Sequence, residues 1–215
     1  MATYDLEAKI TNGGYTPNGL TFERKYTELG INPLDKVEYE ERTSAVYNRM
    51  NKDEKTFYME DVEVPKSWSQ TATDILAEKY FRKAGVPETG TEKSARQVVD
   101  RVSSHIRFWG EQQGYFASKG DADTFQDELS YLLINQYAAF NSPVFFNVGL
   151  SHKYSILGDK PSGNWIYDSK KDEVVPAEDS YSRPQGSACF IQSVEDDLTH
   201  MMDLLKSESR IFKYG

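Results

Sequence analysis

From Ser69 onward apolar positions recur at helical spacing: Ala72, Ile75, Leu76, Lys79 and Tyr80 share a face, and Gly85 with Pro87 supplies a stop. A second helix is predicted from Ser94, where Ser94 and Gln97 form a capping-box pair, with Val98, Val99, Val102, Ile106 and Trp109 turned inward. A third follows Asp121 or Asp123 and carries Phe125, Leu129, Leu132, Leu133 and Gln136 on one side. Such stripes must bury their apolar faces against one another, so the three helices form a packed layer.

The pattern is different on either side of this layer. Residues 1–60 are punctuated by turn signals (Asn12-Gly13-Gly14, Pro17-Asn18-Gly19, Asn32-Pro33), and residues 56–59 and 62–64 read as short strands. Residues 150–186 form a long polar connection in which residues 163–168 and 173–175 flank Ser169-Lys170-Lys171-Asp172 like a β-hairpin. A long connection with its own structure is commonly an interface element, and we read it so here. The apolar run at Cys189-Phe190-Ile191 lies between Arg183-Pro184-Gln185-Gly186 and Glu195-Asp196-Asp197, and this punctuation predicts a short buried strand. A last helix spans about 197–213, with Leu198, Met201, Met202, Leu205 and Phe212 at helical spacing and Lys213 in its final turn, where the helix dipole favours a cation.

Composition narrows the function classes. The 215-residue chain is long enough to bury a core, and 13% aromatic residues argue against disorder. With a net charge of −9 and no long basic cluster, a nucleic-acid polymer is excluded as a partner, whereas one nucleotide could still be held by backbone amides and a few side chains. No window approaches a membrane span, and Met1-Ala2-Thr3-Tyr4-Asp5 has no basic region followed by an apolar run, so a cytoplasmic protein is expected.

Cys189 is the sole cysteine, which excludes an intrachain disulfide and a cysteine zinc cluster. Taken alone, the residues favour an inert core thiol, because free cysteine usually behaves as a small hydrophobe. A cysteine hydrolase using His152 or His200 as base is a weak alternative, since no helix N-terminus follows Cys189 directly to lower its pKa. His105, His152 and His200 are isolated, and none receives a metal-ligand role. Likewise Asn141-Ser142-Pro143 reads as an ordinary turn, and Asp196 as a helix N-cap.

The words carried by the chain change these odds. Residues 62–88, 95–102, 114–118, 127–149 (with NSPVFFNVG) and 172–198 (with SACFIQSVEDDL) resemble, in the same order, the N-terminal portion of the catalytic chain of class II, adenosylcobalamin-dependent ribonucleotide reductases. Ordered matches over about two thirds of a chain are far more specific than a single short motif.

The resemblance implies an α+β protein with a mostly helical N-terminal domain leading into the first strand or strands of a ten-stranded α/β barrel. Its parts would be an extension (1–65), a helical domain (66–140) and the start of the barrel with a hairpin insertion and a dimer or effector helix (141–215). It makes Cys189 one half of a redox pair under the substrate ribose, with the second thiol on another polypeptide or on the remainder of its own. Ser142 becomes the contact to the substrate diphosphate, Ala188 and Cys189 line the same pocket through their backbone, and Asp196 holds the ribose of an allosteric nucleotide. Adenosylcobalamin would be bound mainly by the part of the enzyme outside this chain. Implied partners are the polypeptide carrying the rest of the barrel, the ribonucleotide substrate, a nucleotide effector and a second copy in a dimeric assembly. Without neighbouring strands, Val144, Phe145, Phe146, Phe190 and Ile191 would be left exposed. A noncatalytic nucleotide-binding or assembly subunit of the same fold is the alternative.

Overall fold

The computed structural model describes residues 14–48, 50, 51, 53–160, 163–168 and 171–214, so Asn12-Gly13 and the predicted hairpin-tip residues Ser169 and Lys170 lie outside them. The fold is α+β, and the chain divides into two compact units, one running to Ala139 and the other from Phe140.

The strands of the first unit form an antiparallel pair, β1 (Tyr39–Tyr47) and β2 (Lys55–Pro65). The two short strands predicted at 56–59 and 62–64 are one strand interrupted by a bulge. Arg42 pairs with Val62 and Ser44 with Met59, so Glu60 and Asp61 together oppose Thr43, and Asp61 takes a φ of 56°. Beyond the bulge Val62 and Val64 are buried. β1 gave no sequence signal because Glu40, Glu41 and Arg42 break its alternation. Arg42 anchors the pair by donating to the carbonyls of Trp68 and Lys66 and to Thr73 Oγ1.

Ser69 caps α1 (Gln70–Ile75), accepting the Ala72 N–H, and the helix continues as a π-helical turn, Leu76–Tyr80. It ends before Phe81, earlier than the stop predicted at Gly85, and its buried face is Thr73, Leu76 and Ala77. The predicted stripe was displaced by one residue, which leaves Ile75 exposed. α2 (Ala95–Gln112) begins as predicted: Ser94 Oγ accepts the Arg96 N–H and Gln97 returns its side-chain oxygen to the Ser94 N–H. Val98, Val99 and Val102 are buried. α3 (Lys119–Ile134) starts earlier than Asp121, because Ser118 is the cap.

Arg107 joins α2 to α3, meeting Glu111, Asp123 and Gln126. Arg101 and Glu92, both fully buried, pair at 2.7 Å while Glu92 also accepts the Arg82 N–H. Residues 15–28 lie along this helix pair. Leu20 exchanges backbone hydrogen bonds with Tyr115 and Ala117, and the Glu128 carboxylate gathers the N–H groups of Lys25, Tyr26 and Thr27.

The second unit holds α4 (Ser142–Asn147), α5 (Leu150–Tyr154), the hairpin β3 (Trp165–Asp168) and β4 (Glu173–Pro176), and α6 (Leu198–Tyr214). The hairpin matches the sequence expectation, with Trp165 opposite Pro176 and Tyr167 opposite Val174. The short strand expected at Cys189 is absent: residues 184–195 carry no regular structure, and Cys189 is exposed. A strand needs a ladder partner to satisfy its backbone, and none lies beside this run among the described residues. Val144, Phe145 and Phe146 belong to a helix, where Pro143 supplies the fixed φ suited to a first turn. Among the described residues no helix is long and apolar enough to cross a membrane.

Candidate functional site

The short helices α4 and α5 form the support of the candidate site. The Val148 N–H bonds to the Val144 carbonyl at 2.9 Å, and Gly149 turns the chain with a φ of 86°, a conformation that costs glycine little. Val148, Leu150 and Ala177 are buried here. Ser142, half-buried, is the first residue of α4.

The segment leading to Cys189 is stitched to this support at two points. Upstream, the Asp179 carboxylate is 4% exposed and accepts the N–H groups of Tyr181 at 2.8 Å and Ser182 at 2.9 Å, together with the Ser182 hydroxyl. Burial pushes this carboxyl upward, but the Ser182 hydroxyl and the amides of Tyr181, Ser182 and Gly158 outweigh it, so its pKa falls below 3.8. Ser182 Oγ also lies 3.3 Å from Ser151 Oγ of α5. Downstream, Asn147 at the end of α4 donates its side-chain N–H to the Gln185 carbonyl at 3.2 Å. Gly186 follows close to α4: a Cβ placed on it would stand 3.7 Å from Val144 Cγ2. The Gln185 side-chain oxygen accepts the Ser187 N–H at 3.0 Å, shaping the turn before Ala188 and Cys189.

The segments 141–147 and 185–187, distant in sequence, are therefore neighbours, while Ala188 and Cys189 themselves are exposed. Asp196 is exposed, and the capping bond expected of it belongs to Asp197, whose Oδ1 accepts the His200 N–H at 3.0 Å. His200 Nδ1 accepts the Glu195 N–H, so this ring is engaged in the entry to α6. Among the described residues no three His, Cys, Asp or Glu side chains cluster to hold a metal.

Sequence reasoning passed over Asn147, Gln185 and Asp179. Only Asp179 had a local signal, Asp-x-x-Ser, in which a carboxylate folds back on amides two and three residues ahead.

The family model described as class II vitamin B12-dependent ribonucleotide reductase matches residues 40–136, all within the first unit. Curated relatives extend the likeness into the second. A vitamin B12-dependent ribonucleotide reductase of Rhodopirellula baltica is 40% identical over 201 residues, taking in 92% of this chain and 19% of the relative. Relatives of the same name from Agrobacterium fabrum and Streptomyces coelicolor are each 36% identical, over 91% and 97% of this chain and 18% of their own length. The chain thus spans about a fifth of the relatives it matches. By these matches it belongs to the class II vitamin B12-dependent ribonucleotide reductases, as a part of their N-terminal portion.

Proposed function

We propose that this chain works as the N-terminal part of an adenosylcobalamin-dependent ribonucleoside-diphosphate reductase, supplying one of its two reducing thiols. The observation that carries the reading is the seating of Gln185 and Gly186 on α4, which draws together the two segments resembling the family's substrate-site words.

Reduction of a ribonucleotide replaces the ribose 2′ hydroxyl by hydrogen and releases water. The two electrons and two protons come from a pair of thiols, which close to a disulfide. Cys189 is one thiol, and the second belongs to a polypeptide carrying the rest of the ten-stranded barrel, because no other cysteine occurs here. The Ser142 hydroxyl takes a phosphate oxygen of the substrate, and the main chain at Ala188 and Cys189 lines the same pocket. Bound adenosylcobalamin supplies the radical that activates the 3′ position, from the remainder of the enzyme. Asp196 receives the ribose of a nucleotide effector.

Exposed apolar surface supports these partners. Phe190 and Ile191 would join a barrel strand once neighbouring strands offer a ladder, and Leu198, Met202 and Leu205 of α6 would be covered in a dimeric assembly. A thiol that must be reduced again after each turnover suits the cytoplasm.

Complementation tests the reading. The chain is mixed with a polypeptide covering the remaining length of its relatives, and reduction of ribonucleoside diphosphates is followed with each component omitted in turn. Activity should need both components, vanish with Cys189→Ser, and show a raised KM with Ser142→Ala, a lost phosphate hydrogen bond being worth about 1.5–3 kcal/mol. Full activity with Cys189→Ser would point instead to a noncatalytic assembly subunit.

A further inference from the structure

Between Ala177 and Cys189 one polar side chain is withdrawn from solvent, and the reductase reading assigns it no part. Asp179 is 4% exposed and satisfied by short-range donors, the Tyr181 and Ser182 amides and the Ser182 hydroxyl. The Gly158 amide adds a donor from the loop after α5. That loop is in close contact: a Cβ on Gly158 would stand 2.6 Å from Ser180 Cβ. Three residues past Ser182, Gln185 meets Asn147 of α4. A chain held at Asp179 has few conformations available before it reaches Gln185, whereas a chain released there loses that restriction.

We propose that Asp179 is a positioning residue for Cys189. Its buried carboxylate fixes the strap of residues 179–187 on the α5 side, so that Gln185 and Gly186 seat on α4 and the thiol is presented at a set place relative to Ser142. Asparagine is nearly isosteric but turns an NH2 group or a neutral oxygen toward the amides, and cannot accept all of their hydrogen bonds as a carboxylate does. The inference rests on the reductase reading for its consequence at the substrate; the coupling of Asp179 to the Gln185–α4 seat can be measured without turnover.

A disulfide trap reads the seat. In a Cys189→Ser background, Val144→Cys and Gly186→Cys place two thiols where Val144 Cγ2 and a Cβ on Gly186 stand 3.7 Å apart, a contact that asks nothing to move. Under mild oxidation the pair should close readily with Asp179 present. With Asp179→Asn, closure should slow about tenfold or more at a matched Tm, the factor that corresponds to 1.4 kcal/mol of lost preference. Ser182→Ala, which removes one donor and leaves the amides, should slow it less. If Asp179→Asn unfolds the second unit by circular dichroism, the Ser182→Ala comparison decides. Equal closure rates with and without the Asp179 hydrogen bonds would overturn the inference while leaving the reductase reading to the complementation assay.

Discussion

In the unit that ends at Ala139, several polar groups are paired across the unit: the buried Arg101 has Glu92, Trp68 donates its ring N–H to the Ile134 carbonyl, and Glu128 gathers three consecutive amides. The unit from Phe140 onward leaves Trp165, Ile191, Leu198, Leu205 and Phe212 facing solvent, and among the described residues no strand pairs with its thiol segment. The difference is one of degree, since Leu29 and Met50 of the first unit are exposed as well, but the second carries more exposed large apolar side chains over a shorter length of chain. The family model falls inside the first unit, whereas every residue to which we assign chemistry lies in the second.

The contrast breaks first at the buried ion pair. Arg101→Ala leaves the Glu92 carboxylate buried without its cation, a change that costs about 3–5 kcal/mol. Denaturant unfolding should register this loss, with exchange of the β3–β4 amides unaffected below the transition. A loss under about 1 kcal/mol would show that the first unit does not depend on the pair. Leu150→Ala should do the converse, removing a fully buried side chain of the second unit at about 2–4 kcal/mol. Its effect should appear as faster hydrogen exchange around α4, α5 and the 179–187 strap, with α2 and α3 protected as before.

Acid sharpens the comparison with a smaller effect. For Glu128, burial acts to raise the pKa, but the Thr27 hydroxyl and the amides of Tyr26, Lys25 and Thr27 bring it below 4.5. The Ser118 hydroxyl and the Phe22 amide likewise hold Asp121 below 3.8, and Asp179 in the second unit is also depressed. A carboxyl whose folded pKa is depressed contributes fully above its unfolded value and loses that contribution as pH falls through its folded one. Stability should therefore be flat with respect to these groups above about pH 5 and decline below pH 4. Replacing Glu128 by Gln should flatten the decline in the first unit only, measured by amide exchange as a function of pH.

Two helix starts were legible in the fold, since a cap is a local chemical event: Ser69, and Ser94 with Gln97, each declared themselves within a few residues, whereas the α3 cap at Ser118 did not. Where a distant partner decides, the sequence was less informative. β1 is a charged run made a strand by pairing with β2, and the bulge at Glu60-Asp61 split one strand into two apparent ones. Cys189-Phe190-Ile191 has the composition of a strand without the neighbours to make one. At the site, Ser142, Ala188, Cys189 and Asp196 were reached through family words, not through spacing. The link from Asn147 to Gln185 spans 38 positions, and no pattern along the chain could announce it.

The central claim is that Cys189 gives up its hydrogen to the reaction and pairs with a thiol outside this chain. Peptide mapping by mass spectrometry under non-reducing conditions, after a single turnover of the complemented enzyme without external reductant, tests it directly. The account predicts Cys189 joined by a disulfide to a cysteine of the complementing polypeptide, in an amount equal to the deoxyribonucleotide formed. Product formation with Cys189 recovered as a free thiol would contradict it.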